Sequence, residues 1–234
     1  MSRKVNEKEY NERRNQILDA AQRQALTSGF ESMSIQNILD ELQISKGAFY
    51  HYFDSRQALL QGLIDRMRDE AVTALAPILQ DPALPALEKL QRYFATAARW
   101  KTAHKAYLLS LLRVWYHDDN ALVRQKVQAS SSRAIAPMFA ALIQRGVAEG
   151  TFHAAYPEQT GEVVLTLMYG LGDATAELLL ASHPGEDILE QMEKMIFGYT
   201  AALERVLGAP EGSLELMDRA TIKEWADITQ SAGS

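Results

Sequence analysis

Apolar residues recur at helical spacing along almost the whole chain, and this periodicity limits the possible folds more than any other feature. Alternating β-branched runs and Asn-Gly hairpin turns, which indicate strands, are almost absent. The 234 residues suffice for one large domain or two smaller ones with a sizeable core. The sequence therefore predicts an all-α fold.

The predicted helices form two groups, three short ones at the start and a larger bundle after them. The first three cover about 10–28, then begin at Ser34 and Ser45, each of which is a good N-cap. A fourth is predicted from an Asp54 cap towards Pro77. Further helices are predicted at about 85–101, 104–117, 119–148, 157–181 and 185–207, and an acidic one at 213–229 with a docking stripe of Leu214, Met217, Thr221, Trp225 and Ile228.

Residues 34–53 have the outline of a helix-turn-helix, with Ile44 and Phe49 spaced as a hydrophobic staple. At about 100° per residue, Phe49 and Phe53 fall on one side of the third helix, with Tyr52 at the edge. The other side carries groups that suit phosphates and base edges in a major groove, namely Lys46, Gly47, Tyr50 and His51. A structural three-helix unit with surface aromatic residues would have the same outline.

The charge distribution agrees with a DNA-contacting N-terminal part. The net charge is -6, yet residues 1–68 carry 10 basic and 9 acidic residues, and residues 42–53 contain one lysine and no acid. The absence of cysteine excludes a disulfide scaffold, a thiolate metal site and a cysteine nucleophile. The five histidines lack metal-ligand spacing, and His117-Asp118-Asp119 is interpreted as a loop. We expect neither an enzyme nor a cofactor or metal site.

The N-terminus lacks the apolar run of a signal peptide. The most apolar stretch, residues 163–181, is interrupted by Asp173 and Glu177, so no membrane span is predicted. The expected location is the cytoplasm. Asp173 either pairs with a ligand cation or forms a salt bridge at a rim or interface.

Residues 13–60 resemble the TetR family of bacterial transcriptional regulators. The resemblance rests on Ile17-Leu18…Ala20-Ala21, Gly29-Phe30, Ser34-Ile35, Ser45-Lys46-Gly47…Tyr50…Phe53 and Arg56-Gln57-Ala58-Leu59. The stretch RGVAEGTF at 145–152 is also similar to the family's C-terminal region. This resemblance implies DNA contacts by Ser34, Ser45, Lys46, Gly47, Ala48, Tyr50, His51, Tyr52 and Arg56.

Four positions depart from the family pattern. Ala48 stands where Thr or Ser is frequent, Tyr52 where His is frequent, and Arg56 where Lys is usual. Gln43 lies in a turn that usually holds Gly, so a positive φ there would be strained. The N-terminal residues form a basic arm that consists of Arg3, Lys4, Lys8, Arg13 and Arg14. This arm either adds phosphate contacts or is a solvated tail.

The resemblance implies a DNA-binding domain at 1–53, a linking helix at 54–77, and a ligand-binding and dimerisation domain at 78–234. The interface residues would be Val164, Leu167, Leu171, Leu178, Met192, Met195, Ile196, Tyr199 and Leu203, which equally suit a core. The pocket candidates, which also suit a core, are Tyr93, Phe94, Trp100, Tyr107, Trp115, Met138, Phe139, Phe152, Met168 and Tyr169.

The expected protein is thus a homodimeric, ligand-responsive repressor. Its partners would be double-stranded operator DNA and an apolar or aromatic small-molecule effector. Two alternatives remain open at this point. One is a helical small-molecule-binding protein or enzyme with an incidental helix-turn-helix, and the other is a transcriptional activator.

Overall fold

The structure is a computed structural model that describes residues 2–181 and 187–231. Within these residues there is no strand, which confirms the all-α prediction. A 3₁₀ turn covers Asp118–Asn120. The helices are α1 Ser2–Ser28, α2 Ile35–Leu42, α3 Lys46–Tyr50, α4 Arg56–Gln80, α5 Ala86–Ala103, α6 Lys105–Tyr116, α7 Ala121–Ala148, α8 Pro157–Ala181, α9 Ile188–Leu207 and α10 Arg219–Ser231.

The chain folds into two compact units. The N-terminal unit comprises residues 1–70 and 104–127, and the C-terminal unit comprises residues 71–103 and 128–234. The sequence had assigned all residues after 78 to one domain. Residues 104–127 join the first unit because Tyr107, Leu111 and Val127 are buried in the same hydrophobic core as α1 to α4. The functional boundaries stay a prediction.

The core of the N-terminal unit holds the apolar stripe of α1. Ile17 and Ala21 are fully buried there and meet Ile38 of α2 and Phe49 of α3. At the surface, Arg23 of α1 donates a hydrogen bond to Glu41 at the end of α2. This hydrogen bond holds the pKa of Glu41 below its ordinary value.

Two helix starts differ from the sequence prediction. Helix α1 begins at Ser2, well before the predicted residue 10. Helix α4 is capped by Ser55, whose Oγ accepts a hydrogen bond from the N–H of Ala58 at 3.0 Å, so the prediction of an Asp54 cap is wrong. Adjacent Asp and Ser residues are equally good caps by composition.

Helix α8 packs closely against α7 at Gly161. A Cβ added to this glycine would lie 2.9 Å from the backbone N of Ala140 and 3.0 Å from the carbonyl O of Ala136. At Gly170 an added Cβ would lie 3.0 Å from the hydroxyl of Tyr199 on α9, whereas Gly172 has open space around it. Gly161 and Gly170 therefore serve close helix packing within the unit, and Gly172 does not.

The last part of the chain is anchored to the C-terminal unit by a buried carboxylate. The side chain of Glu204 on α9 accepts hydrogen bonds from the N–H groups of Gly212 and Leu214 at 3.1 and 2.9 Å. Helix α10 then buries Ile222, and Trp225 Nε1 donates to Thr102 Oγ1 of α5 at 3.1 Å. The predicted C-terminal helix therefore exists and docks, although it starts later than residue 213. The side chain of Ile228 lies outside the described residues.

Helix α8 is long and apolar enough, by length and composition alone, to cross a membrane. The expectation that Asp173 and Glu177 exclude this is wrong, since two charged residues do not remove its apolar character. Most of its apolar stretch is not buried within the chain. A helix–helix interface of a soluble protein has the same composition.

Candidate nucleic-acid interface

The helix-turn-helix has the predicted caps at both of its helices. Ser34 Oγ accepts a hydrogen bond from the N–H of Asn37 at 3.0 Å and starts α2. Ser45 Oγ accepts from the N–H of Ala48 at 3.1 Å and starts α3. Each hydroxyl keeps its proton, so both can still donate a hydrogen bond outwards.

The turn between the two helices contains a strained residue. Gln43 has φ 51° and ψ 46°, and it is the one non-glycine residue with positive φ among those the structure describes. Its N–H faces the last carbonyls of α2. The condition that the sequence analysis set for strain at this position, a positive φ, is therefore met, and the left-handed conformation costs about 1 kcal/mol for a residue with a Cβ.

Substitution of Gln43 by glycine is expected to stabilise the N-terminal unit by about 1 kcal/mol, because glycine adopts this conformation without strain. Gln36→Gly is the matched control: it makes the same change inside α2, where glycine should destabilise by about 1 kcal/mol. Denaturant unfolding of both variants measures the two effects. A Gln43→Gly variant as destabilised as Gln36→Gly would show that the turn holds no such strain.

The aromatic rings on and after α3 point to two sides, as the helical spacing of about 100° per residue predicted. Phe49 and Phe53 are buried in the core, and Tyr52 is half-buried. Tyr50 is 39% exposed, and the Nζ of Lys46 lies 6.0 Å from the centroid of its ring. The uncovered face of α3 consists of Lys46, Gly47 and Tyr50 of the helix and of His51, the residue that caps its C-terminus, with Ala48 half-buried beside it.

The uncovered face is continued by a ring that the sequence reasoning missed. Tyr10 of α1 contacts Tyr52, with ring centroids 4.8 Å apart, and the edge of His51, at 5.7 Å. Tyr10 lies seven residues before the buried Ile17, so it shares the core-facing side of α1. That spacing was visible in the sequence, but no local pattern indicates that Tyr10 meets rings more than 40 residues later.

Arg56 makes contacts that the sequence did not predict. Its Nη2 donates hydrogen bonds to the carbonyl oxygens of Phe30 and Glu31, the second at 2.8 Å. Its guanidinium carbon also lies 5.0 Å from the centroid of the Phe30 ring. A cation in the first turn of α4 is unfavourable to the helix dipole, and here carbonyl acceptors of the protein itself compensate it.

The basic arm belongs to α1, and three of its five side chains contact other residues of the protein. Lys8 forms an ion pair with Glu12 at 3.7 Å, and Arg13 donates to Gln16. Arg14 lies over the ring of Phe53, 5.0 Å from its centroid. The side chains of Arg3 and Lys4 lie outside the described residues.

The predicted pocket residues are divided between the two units. Tyr107 and Trp115 belong to the N-terminal unit and the others to the C-terminal unit. The five buried ones act as core residues: Tyr93, Phe94, Tyr107, Phe139 and Phe152. Burial raises the pKa of Tyr93 and that of Tyr107 to about 12. The five half-buried ones are Trp100, Trp115, Met138, Met168 and Tyr169.

The predicted interface residues also separate by burial. Four are buried within the C-terminal unit of a single chain: Val164, Met192, Ile196 and Leu203. The half-buried ones are Leu167, Leu171, Leu178, Met195 and Tyr199. Phe197 of α9 is 58% exposed and Val163 of α8 is 43% exposed, and both lie outside the predicted stripes.

In the part of the chain that the structure describes, no group of three or more His, Cys, Asp or Glu side chains is placed to bind a metal ion. His117 and Asp119 lie 3.5 Å apart on the exposed loop after α6. Asp173 is half-buried on α8. His183 lies outside the described residues.

Two family models match the chain. Residues 17–63 match the model of bacterial regulatory proteins of the tetR family, and residues 115–176 match a tetracyclin repressor-like C-terminal domain. The helix-turn-helix-type regulator YfiR of Bacillus subtilis is 24% identical over 68% of this chain and 78% of its own length. The repressor DhaR of a Mycobacterium species is 27% identical over 30% of this chain and 35% of its own length.

The alignments with the first curated relatives are short, and they cover 21%, 35% and 40% of the lengths of those proteins. Solved structures extend the likeness to the whole fold. A transcriptional regulator of Cytophaga hutchinsonii matches 82% of this chain and 96% of its own, with a TM-score of 0.62 and 19% identity. A TetR-family regulator of Pectobacterium atrosepticum matches 87% and 98%, with a TM-score of 0.62 and 18% identity. The chain belongs to the TetR family of bacterial helix-turn-helix transcriptional regulators.

Proposed function

We propose that the protein represses transcription by inserting α3 into the major groove of an operator. The observation that carries the proposal is the uncovered face of α3, where a lysine, a glycine, a tyrosine and a histidine project from a helix fixed by buried Phe49 and Phe53. No acid occurs in residues 42–53 to repel phosphate. The relative DhaR, which is described as a repressor, supports repression over activation.

The contacts within a half-site follow from side-chain chemistry. Lys46 and the hydroxyls of Ser34 and Ser45 donate to phosphates, and Tyr50 and His51 reach base edges. Gly47 permits close approach of the backbone, since an added Cβ would meet only Ser45 Oγ, at 3.9 Å. The methyl of Ala48 suits a thymine methyl. Tyr52 contacts a phosphate through its hydroxyl. Arg56 contributes least to DNA binding because its Nη2 already donates hydrogen bonds to backbone carbonyls.

The test is binding of the protein to the DNA beside its own gene, compared with an unrelated duplex of equal length. We expect binding to the first to be at least about 10³-fold tighter at physiological salt. Equal affinity for the two duplexes would leave only non-specific binding and would contradict the proposal. Two half-sites are expected, with centres roughly 34 Å or a multiple of this apart.

A homodimer formed by α8 and α9 is the second element of the proposal. These helices leave Val163 and Phe197 exposed within one chain, and most of the apolar stretch of α8 is not buried. Large uncovered apolar surfaces are unusual on soluble monomers and mark interaction sites. Closed twofold pairing would cover both helices and place two recognition helices on one duplex.

Phe197→Glu is expected to convert the dimer into a monomer, because a charge placed at an apolar seam is desolvated without a partner. Light scattering after size exclusion should give about one chain mass of 26.1 kDa in place of two. Leu122→Glu, at a leucine that is 60% exposed on α7, is the matched control and should leave the mass unchanged. A Phe197→Glu protein with twice the chain mass would remove Phe197 from the interface.

An apolar or aromatic effector that binds outside residues 1–53 is the third element. The family typically binds ligands, and the half-buried candidates that remain in the C-terminal unit are Trp100, Met138, Met168 and Tyr169. Binding should lower operator affinity by the ratio of ligand affinities for the DNA-free and DNA-bound protein. A thermal-shift screen of apolar metabolites and drugs identifies ligands. A ligand that raises the midpoint yet leaves operator affinity unchanged would contradict the coupling.

The proposal assigns no catalytic residue, cofactor or metal. A cytoplasmic location follows from the DNA target.

A further inference from the structure

We infer that Tyr10 is a positioning residue, which holds His51 and Tyr52 in place and so sets part of the operator preference. The inference rests on the proposed DNA binding by α3. Three rings carry it, Tyr10, His51 and Tyr52, and together they are called the ring triad. Tyr10 comes from α1, and the other two rings follow the last residue of α3.

The positions of the His51 and Tyr52 rings depend on Tyr10 because α3 ends before these two residues. Helix α3 comprises only Lys46–Tyr50, and such a short helix has little stability of its own. Backbone hydrogen bonds fix the main chain at this point: the N–H of His51 donates to Gly47 O at 3.1 Å and that of Tyr52 to Phe49 O at 2.9 Å. These bonds do not set the side-chain directions, which follow from packing: Tyr52 packs partly against the core, and both rings pack against Tyr10.

The triad is closed, because each ring contacts the other two. The centroids of His51 and Tyr52 lie 5.1 Å apart at 80°. Tyr10 meets His51 edge-on at 5.7 Å and 81°, and it meets Tyr52 at 4.8 Å and 38°. Distances of this size and tilted or edge-on angles are the favourable ones for aromatic pairs.

Tyr10 itself has a fixed position. Its helix runs from Ser2 to Ser28, and Ile17, seven residues later on the same side, is fully buried. One turn after Tyr10, Arg14 lies over the ring of Phe53, so this side of α1 follows the end of α3 for two turns. Because Tyr10 is fixed in this way, its ring holds His51 and Tyr52 in one arrangement before DNA binds. The two side chains therefore lose less rotamer freedom when they contact DNA.

Tyr10→Ala should therefore weaken binding of the tightest duplex that the unmodified protein selects from a random pool. With one triad per half-site, we expect a loss of about 5- to 100-fold for the dimer. Tyr10→Phe keeps the ring and should bind within about twofold of the unmodified protein. Leu26→Ala, at an exposed leucine on the same helix, is the matched control and should leave affinity unchanged.

Two readouts separate positioning from direct contact or from loss of fold. A repeated selection with Tyr10→Ala should relax preference at the same base pairs as His51→Ala. The loss for the double variant Tyr10→Ala/His51→Ala should be smaller than the product of the two single losses, since both act through one contact. Multiplicative losses, or a uniform loss with unaltered base preference, would overturn the inference.

The outcome also distinguishes this inference from the proposed function. If the unmodified protein selects no duplex, the DNA-binding proposal itself is wrong. If it selects one and Tyr10→Ala binds that duplex with equal affinity and preference, the positioning role alone is wrong. An equal loss for Tyr10→Phe and Tyr10→Ala would assign the effect to the hydroxyl and would likewise overturn the role of the ring.

Discussion

Alanine at both Lys46 and Tyr50 is expected to abolish sequence-specific DNA binding while the protein stays folded. The two side chains lie on the uncovered face of α3, and the cation stands 6.0 Å from the ring centroid. Lys46 is exposed and Tyr50 is 39% exposed, so their removal creates no cavity in the core. Phe49 and Phe53, which hold the helix, remain in place.

The expected size of the loss follows from the number of contacts. A base or phosphate contact contributes about 1–3 kcal/mol, and a dimer on two half-sites loses four of them. Affinity for the specific duplex should therefore fall by at least about 10³-fold, to the level of non-specific DNA. Removing two phosphate-facing lysines should also lower the salt dependence of the remaining binding.

Fluorescence anisotropy with the operator duplex measures the loss, and thermal unfolding checks the fold. The double variant Tyr156→Ala/Lys194→Ala makes the same chemical change at exposed positions of the C-terminal unit and serves as the control. Retained affinity in the Lys46→Ala/Tyr50→Ala protein would show that α3 is not the reading helix.

Gly161→Ala is expected to destabilise the C-terminal unit by about 2–3 kcal/mol, whereas Gly172→Ala on the same helix should stabilise it by up to about 1 kcal/mol. Alanine has a higher helix propensity than glycine, so both substitutions would stabilise the helix if packing played no part. Stability changes of opposite sign therefore indicate close packing at Gly161. At Gly161 the added Cβ would lie 2.9 Å from Ala140 N and 3.0 Å from Ala136 O. These are backbone atoms, so α7 and α8 must move apart. At Gly172 an added Cβ would meet no atom within 4 Å beyond the backbone of its own helix turn.

Denaturant unfolding of both variants at one protein concentration provides the measurement, because the proposed dimer would make stability depend on concentration. Two variants of equal stability would contradict the close packing at Gly161. Destabilisation by Gly172→Ala would instead place that glycine against a second chain.

Local features were the ones that the sequence predicted best. The caps at Ser34 and Ser45 and the bounds of α8 depend on neighbouring residues alone. The division of the α3 rings followed from helical geometry, and the strained turn at Gln43 from the comparison with a family pattern.

Features that depend on distant residues were missed. Arg56 binds carbonyls 25 and 26 residues away, and Tyr10 meets rings more than 40 residues later, so no local pattern indicates either contact. Gly161 and Gly172 are alike in the sequence, and only the position of α7 distinguishes them. Val164 and Met192 of the predicted interface are buried within the chain, which the sequence could not indicate because core and interface stripes have the same composition.

The five-residue length of α3 has a genetic consequence. A helix this short takes its shape from Phe49 and the core beneath it, so the core and the face that we propose reads DNA unfold together. Alleles that lose regulation only at raised temperature should then map to buried positions such as Ile17 or Ile38, which never touch DNA. Alleles that change which promoters are regulated at every temperature should map to the outer face of α3.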